Sequence, residues 1–240
     1  TKVNTKVNTK VNTKVNTKVN TKVNTKVNTK VNTKVNTKVN TKFDILIAGV
    51  GGQGVVLASR LLALTAMKAG FRVSTAETIG MSQREGSVSS HLRIGEDVKG
   101  SLIPLGEADL ILGLEPSETV RNLPFLKKGG RVLVNTHAVF PASKPEGSPE
   151  YDPLALLSFL REACPGSGCF DFTKLAGEAG TARAANVAML GSAAAADLLP
   201  FSADELRKVL EAEIPEKYLE VNRKTFELAS EKARLIQVKR

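Results

Sequence analysis

Apolar and polar positions split the chain into a strictly repeating polar front and a body in which strand-like and helix-like patterns alternate. Phe43–Ala48 is apolar at every position but Asp44, the pattern of a strand buried on both faces. A glycine turn follows, then Val55–Ala69 with Leu57, Leu61, Leu62 and Leu64 at helical spacing. Gly70 ends that helix, and Phe71–Ala76 reads as a second strand. Ser87–Ile94 alternates as a strand, and Val98–Ile103 is predicted to pair with it as a hairpin across Gly95-Glu96-Asp97. Asp109–Leu114 reads as another buried strand, Ser117–Leu126 as a helix, and Arg131–Asn135 as a strand after Gly129-Gly130.

A loop rich in Pro, Gly and Ser, Pro141–Pro149, interrupts the alternation. Helices are predicted near Pro153–Ala163, Ala184–Leu198 and Ala203–Ala212, with a long amphipathic one from Lys217 to about Val238. This rhythm predicts an α/β fold: a Rossmann-like, doubly wound, mostly parallel sheet with helical cover and C-terminal helices. Two uses fit the last helices, packing on the core or docking to another subunit.

Residues 1–40 are ten copies of TKVN, and the first predicted domain boundary sets 1–42 apart from a body at 43–240. One residue in four is apolar, and a four-residue period drifts around a helix. As a strand the repeat puts Thr and Val on one face, with lysines that oppose stacking. A solvated tail without a fold is the expectation, and a short β-solenoid the alternative. No methionine precedes Met67, and a start there would delete the first strand. The repeat is therefore expected to be an expanded or mis-assigned leader, with a valine codon such as that of Val39 as the start.

The tail also accounts for the charge. The chain has 34 basic and 24 acidic residues, but ten of the lysines lie in the repeat, which leaves the body with 24 of each. Weak, salt-dependent attraction to polyanions belongs to the tail alone, and no nucleic-acid partner is expected for the body. No unbroken apolar run is long enough to span a bilayer, so no membrane association and a cytoplasmic location are expected. Cys164 and Cys169, in CPGSGC, are too few for a disulfide framework. They read as two free thiols of a reducing compartment or as a reducible pair.

Chemistry concentrates in two segments. In Gly49-Val-Gly-Gly-Gln-Gly54, Gly49, Gly51 and Gly54 stand at G-x-G-x-x-G spacing between a strand and a helix. A turn this tight needs residues without Cβ, and its amides favour an anion or a closely approaching backbone. One reading is a dinucleotide site, with Glu77 past the second strand holding a ribose. Against it stand Gln53 inside the turn and the lack of an accompanying acid–base group.

The second segment, Met81-Ser-Gln-Arg-Glu-Gly-Ser-Val88, places polar residues beyond the end of a strand, where α/β sheets form crevices. Arg84 offers a fork suited to phosphate or carboxylate, with Ser82, Gln83 and Ser87 as hydrogen-bonding groups and Gly86 for the turn. The same loop serves equally as a brace for the sheet and a neighbouring subunit. His91 and Arg93 share one face of the following strand; a structural histidine is the simpler reading. Glu115 and Glu118 flank a helix start, where carboxylates suit the dipole or a partner contact. Asn135-Thr136 ends a strand and is expected to cap the crevice.

GVGGQGVVLASRLLA, ETIGMSQREGSVSSHLRIG, ADLILGLEPSE, GGRVLVNT and the later TARAANVAMLGSAAA, in this order, resemble the gamma-type domain of 2-oxoacid:ferredoxin oxidoreductases. Within that family the likeness is greatest to the small (beta) subunits of the indolepyruvate type. It covers residues 43–240 and leaves the repeat unmatched. Glu85 departs from the pattern, where the family often has a second glycine.

The resemblance implies a division of labour. A large partner subunit carries thiamine diphosphate, Mg and 4Fe–4S clusters, and the complex turns a 2-oxoacid, coenzyme A and oxidised ferredoxin into acyl-CoA, carbon dioxide and reduced ferredoxin. This chain is then the non-thiamine subunit, inactive alone, with no catalytic residue and no metal site of its own. Its two cysteines are too few for a four-iron cluster, which needs four ligands. The residues carried over are Gly49, Gly51, Gly52, Gln53 and Gly54, then Ser82, Gln83, Arg84, Gly86 and Ser87. Asn135 and Thr136 join them in a predicted crevice facing the partner or coenzyme A. The alternatives are a gamma subunit acting on pyruvate or another 2-oxoacid, and a free-standing nicotinamide enzyme.

Overall fold

Residues 42–80, 86–140 and 150–237 are described by the structure, a computed structural model. Its six strands are β1 (Phe43–Val50), β2 (Val73–Ile79), β3 (Ser87–Ile94), β4 (Ala108–Gly113), β5 (Leu126–Asn135) and β6 (Gly168–Phe170). They form one sheet in the order β2-β3-β1-β4-β5-β6. The pairs β1–β4, β4–β5 and β5–β6 are parallel; β3 is antiparallel to both β1 and β2. Five strands therefore share one direction and β3 opposes them.

Among the described residues the α-helices are α1 (Val55–Lys68), α2 (Pro116–Arg121), α3 (Pro153–Ala163), α4 (Phe172–Ala179), α5 (Ala185–Ala195), α6 (Ala203–Glu213) and α7 (Glu216–Gln237). On one face of the sheet Ile45, Ile47, Leu110 and Leu112 pack with α1, α5 and α6 in the larger core. On the other, Leu46, Ile111, Val132 and Val134 meet Leu157 and Leu160 of α3 in a smaller one. Burial on both faces explains why β1 and β4 are nearly continuous apolar runs.

Helix α5 is buried along ten of its residues, Asn186 to Ala195. Its small side chains let α7 come close: a Cβ on Gly191 would lie 2.6 Å from the Phe226 carbonyl oxygen. Ser230 Oγ donates to the Gly191 carbonyl (3.1 Å) and Ser192 Oγ to that of Ala229 (3.2 Å). One face of the long final helix is thus core.

Three predicted elements change, and two unpredicted ones are added. Strand two begins at Val73 rather than Phe71, because Phe71 N donates to the Ala66 carbonyl and completes the end of α1 around Gly70 (φ 87°). The predicted hairpin partner Val98–Ile103 is not a strand. Arg93 Nη1 donates to the carbonyls of Gly100 and Leu102 (3.1 Å each), and Ile103 N donates to His91 Nδ1 (3.2 Å). Side chains thereby satisfy backbone groups that a ladder would otherwise use. The predicted helix Ser117–Leu126 is α2 followed by a 3₁₀ turn, Leu123–Phe125, because Pro124 cannot donate within a helix. Finally, β6 and α4 were not foreseen between the CPGSGC turn and α5.

Candidate functional site

The carboxyl ends of β1, β4 and β5 lie at one end of the sheet, and the reversal of β3 brings its start there too. Val50 pairs with Ser87 across the β1–β3 ladder, and Gly51 N donates to the Gly86 carbonyl (2.9 Å). The glycine turn and the residues that close the second segment are thus in direct contact. Ser82, Gln83 and Arg84 lie outside the described residues.

Three glycines have separate reasons to be there. Gly52 (φ 92°) and Gly54 (φ 79°) occupy the left-handed region. A Cβ on Gly54 would also stand 2.3 Å from Asn186 Nδ2, which donates to the Gly54 carbonyl (3.2 Å). Gly49 is crowded by Gln53 Oε1, Leu114 and Val55. Gly52 is exposed, and a Cβ there would meet only open space.

Gln53 explains what the turn does. Its Oε1 accepts from Val50 N (2.9 Å), and its Nε2 donates to the Leu114 carbonyl (3.0 Å). Asn135 Nδ2 donates to the same carbonyl (3.2 Å) and to Thr173 Oγ1 (2.9 Å), while its Oδ1 accepts from Phe172 N (2.9 Å). Thr136 N donates to the Phe170 carbonyl (2.9 Å). Two side-chain amides therefore stitch the ends of β1, β4 and β5 to the start of α4. The inner side of the turn is filled by protein, and its outer side at Gly52 stays open.

Beside the stitch lie two buried carboxylates. Glu115, fully buried, caps α2: its Oε2 accepts from Glu118 N (3.0 Å) and Ser117 Oγ (2.6 Å), and Tyr151 OH donates to Oε1. Glu118 accepts from Ser87 Oγ (2.6 Å), and Arg121 Nε lies 3.4 Å from it. Burial, then the bond to Glu115, raises the Tyr151 phenol above its ordinary pKa, so it donates at neutral pH. The Tyr151 ring meets Phe140 edge-on at 5.2 Å. These acids are committed to protein donors, which is the arrangement of a rigid platform.

Glu77 is displaced from the role the nicotinamide reading requires. It is exposed and pairs with Ser90, and β3 stands between β2 and β1. Two strand spacings, about 9–10 Å, separate its strand from the glycine turn's strand. His91 is buried and its ring meets Phe125 at 5.3 Å; burial and then the Arg93 charge lower its pKa. Arg93 forms a two-point ion pair with fully buried Asp44 (3.1 and 3.2 Å). Both side chains are structural.

The sequence profile of the pyruvate ferredoxin/flavodoxin oxidoreductase family matches residues 44–232. The chain belongs to that family. Proteins named indolepyruvate oxidoreductase subunit IorB, from Thermococcus kodakarensis and Pyrococcus horikoshii, are each 39% identical over 194 residues, 80% of this chain and 96% of theirs. A pyruvate/ketoisovalerate oxidoreductase common subunit gamma from Thermococcus kodakarensis is 36% identical over 95 residues, 51% of its length. The gamma subunit of a keto/oxoacid ferredoxin oxidoreductase from Geobacter sulfurreducens superposes with a TM-score of 0.58 at 25% identity, over 80% of this chain and 98% of that one. A 2-oxoglutarate:ferredoxin oxidoreductase chain from Magnetococcus marinus shares the fold (TM-score 0.59, 20% identity) over 81% of this chain and 31% of its own. The fold of this family member thus occurs both as a separate subunit and as about a third of a longer chain.

Sequence reasoning missed Asn186 and Tyr151. An asparagine inside the apolar run of TARAANVAMLGS was a readable signal for the first. Tyr151 follows a loop, and only the fold brings it to Glu115.

Proposed function

We propose that this chain is the small, non-thiamine subunit of an indolepyruvate (arylpyruvate) oxidoreductase that reduces ferredoxin. The observation that carries this reading is the extent of likeness. Identity to the indolepyruvate subunits runs along 96% of their length, against about half for the pyruvate/ketoisovalerate gamma subunit. A pyruvate-type complex is the second reading, kept by that partial match.

In the complex, thiamine diphosphate with Mg and 4Fe–4S clusters of the large subunit supply decarboxylation and electron transfer, with coenzyme A as acyl acceptor. The two cysteines of this chain cannot ligate such a cluster. Its own contribution is to present a fixed surface. Gln53 and Asn135 hold three strand ends together, Asn186 pins the start of α1, and the open side of the turn at Gly52 faces outward. We assign Gly49, Gly51, Gly52, Gln53, Gly54, Gly86, Ser87, Asn135 and Thr136, with Ser82, Gln83 and Arg84 of the adjoining segment, to the crevice that meets the large subunit or coenzyme A. An exposed glycine backbone at a helix start suits a phosphate or another chain's backbone. The working body is residues 43–240, with 1–42 a repeat tail or mis-assigned leader, and its location is cytoplasmic; among the described residues no helix is long and apolar enough to cross a membrane.

The test is co-expression with the large subunit and anaerobic assay of coenzyme-A-dependent viologen reduction with indolepyruvate, phenylpyruvate and pyruvate. Preference for the aryl substrates is expected. Preference for pyruvate would move the chain to the second reading.

A further inference from the structure

Strand β2 ends the sheet, and its free edge has a specific chemistry. Its ladder to β3 runs without a shift from Val73 opposite Ile94 to Ile79 opposite Val88. At the two ends of the ladder Gly95 N donates to the Arg72 carbonyl (2.9 Å) and Gly80 N to that of Ser87 (2.8 Å). Antiparallel bonding alternates along a strand, so the even-numbered residues use their backbone groups toward β3. The N–H and C=O groups of Val73, Thr75, Glu77 and Ile79 therefore point out of the sheet. Among the described residues no strand meets them.

Edge strands normally carry protection: a lysine, a proline, a bulge or a covering element. This seven-residue edge, VSTAETI, has one charged residue and none of the first three. Thr75, Glu77 and Thr78 are exposed, and Ile79 is 65% exposed. Such an edge is a template for another strand.

We propose that β2 is the contact between two copies of this chain, pairing antiparallel with itself about a two-fold axis at Ala76. In that register Val73 opposes Ile79 of the second copy and Thr75 opposes Glu77. All four outward residues meet outward residues, so each pair exchanges both of its backbone hydrogen bonds. The even-numbered residues form the closer, non-bonded pairs, and they are small: Ala76 with Ala76, Ser74 with Thr78. Exposed Ile79 gains Val73 as an apolar neighbour, and the two Glu77 carboxylates stand diagonal rather than opposite. An axis at Glu77 would set those carboxylates face to face. An axis at Thr75 would leave Ile79 opposite Phe71, which is buried at the end of α1. Self-complementarity in register, size and charge is the signature of an isologous contact and is not needed for a strand from a different protein.

The test is the mass of the full chain in solution, by light scattering and sedimentation, alone and co-purified with its large subunit. Two copies are expected in both. Thr75→Pro removes an outward N–H that the β2–β3 ladder does not use, a position where proline is tolerated. It should weaken the dimer by at least about tenfold, because each side of the axis loses a hydrogen bond. Ala76→Cys, with Cys164 and Cys169 changed to Ser, should form a disulfide-linked dimer on mild oxidation, since the two Ala76 positions are nearest neighbours across the axis. That variant decides the matter if Thr75→Pro does not fold. A monomeric chain would overturn the proposal. So would a dimer that Thr75→Pro leaves intact and Ala76→Cys does not link. The edge would then belong to a strand of the large subunit or to the TKVN repeat.

Discussion

Replacing Gln53 by Met keeps the length and bulk of the side chain and removes both of its hydrogen bonds. Val50 N loses its acceptor at 2.9 Å, and the Leu114 carbonyl loses a donor at 3.0 Å but keeps Asn135 Nδ2 at 3.2 Å. Two lost bonds cost about 1 kcal/mol each, and a half-buried amide left without an acceptor adds up to about 1 kcal/mol more. The cavity contribution is small because volume is conserved. The sum, about 2–3 kcal/mol, corresponds to a fall in Tm of roughly 5–10 °C for a body of this size. Differential scanning fluorimetry with urea unfolding measures it. Gln53→Glu separates the two bonds: its carboxylate still accepts from Val50 N but faces the Leu114 carbonyl with no proton to donate. Its folded-state pKa is expected above the ordinary value near 4.3, so this variant should gain stability relative to wild type as pH falls toward 5. A loss below about 0.5 kcal/mol for Gln53→Met would refute the view that this amide holds the turn closed. Acquisition of NADH binding by Gln53→Met would point to a nucleotide cradle that Gln53 merely fills.

Further outcomes follow from other contacts. Gly113→Ala should cost about 2–4 kcal/mol, because a Cβ there falls 1.8 Å from Thr119 Oγ1, and Thr119→Ala should recover part of that loss in the double variant. Asp44→Asn should cost about 3–5 kcal/mol in chemical unfolding, since it leaves the buried Arg93 guanidinium short of its counter-charge. His91 is held neutral by burial, with Nδ1 accepting from Ile103 N, so its folded pKa lies below its unfolded value near 6.5. The unfolded chain takes the proton first. Stability from this group is therefore complete above about pH 6.5 and falls as pH drops from there to the folded pKa. In Tm measured between pH 7.5 and 5.5, His91→Gln should flatten that slope.

The parts of the fold legible in the sequence were those set by local pattern. Buried runs announced β1 and β4, Gly70 announced the end of α1, and α3 starts at its proline as expected, while the end of α2 before Pro124 was passed over. What sequence concealed was side-chain traffic between distant segments. Nothing local says that Arg93 and His91 will satisfy the backbone at residues 100–103 in place of a strand. The order of the strands was equally hidden. Placing β3 between β1 and β2 takes Glu77 away from the glycine turn, while the G-x-G-x-x-G spacing reads the same in either topology. The turn and the second segment could be matched to a family by their residues, yet their contact through Gly51 and Gly86 depends on β3 running backwards.

In the proposed reading this chain is a structural partner to chemistry housed elsewhere. Adding the purified chain back to purified large subunit, under anaerobic conditions with indolepyruvate, coenzyme A and viologen, tests it most directly. No reduction by the chain alone is expected, and activity should rise on addition and saturate at a fixed ratio. Full activity of the large subunit without the chain, or oxidoreductase activity of the chain by itself, would contradict it.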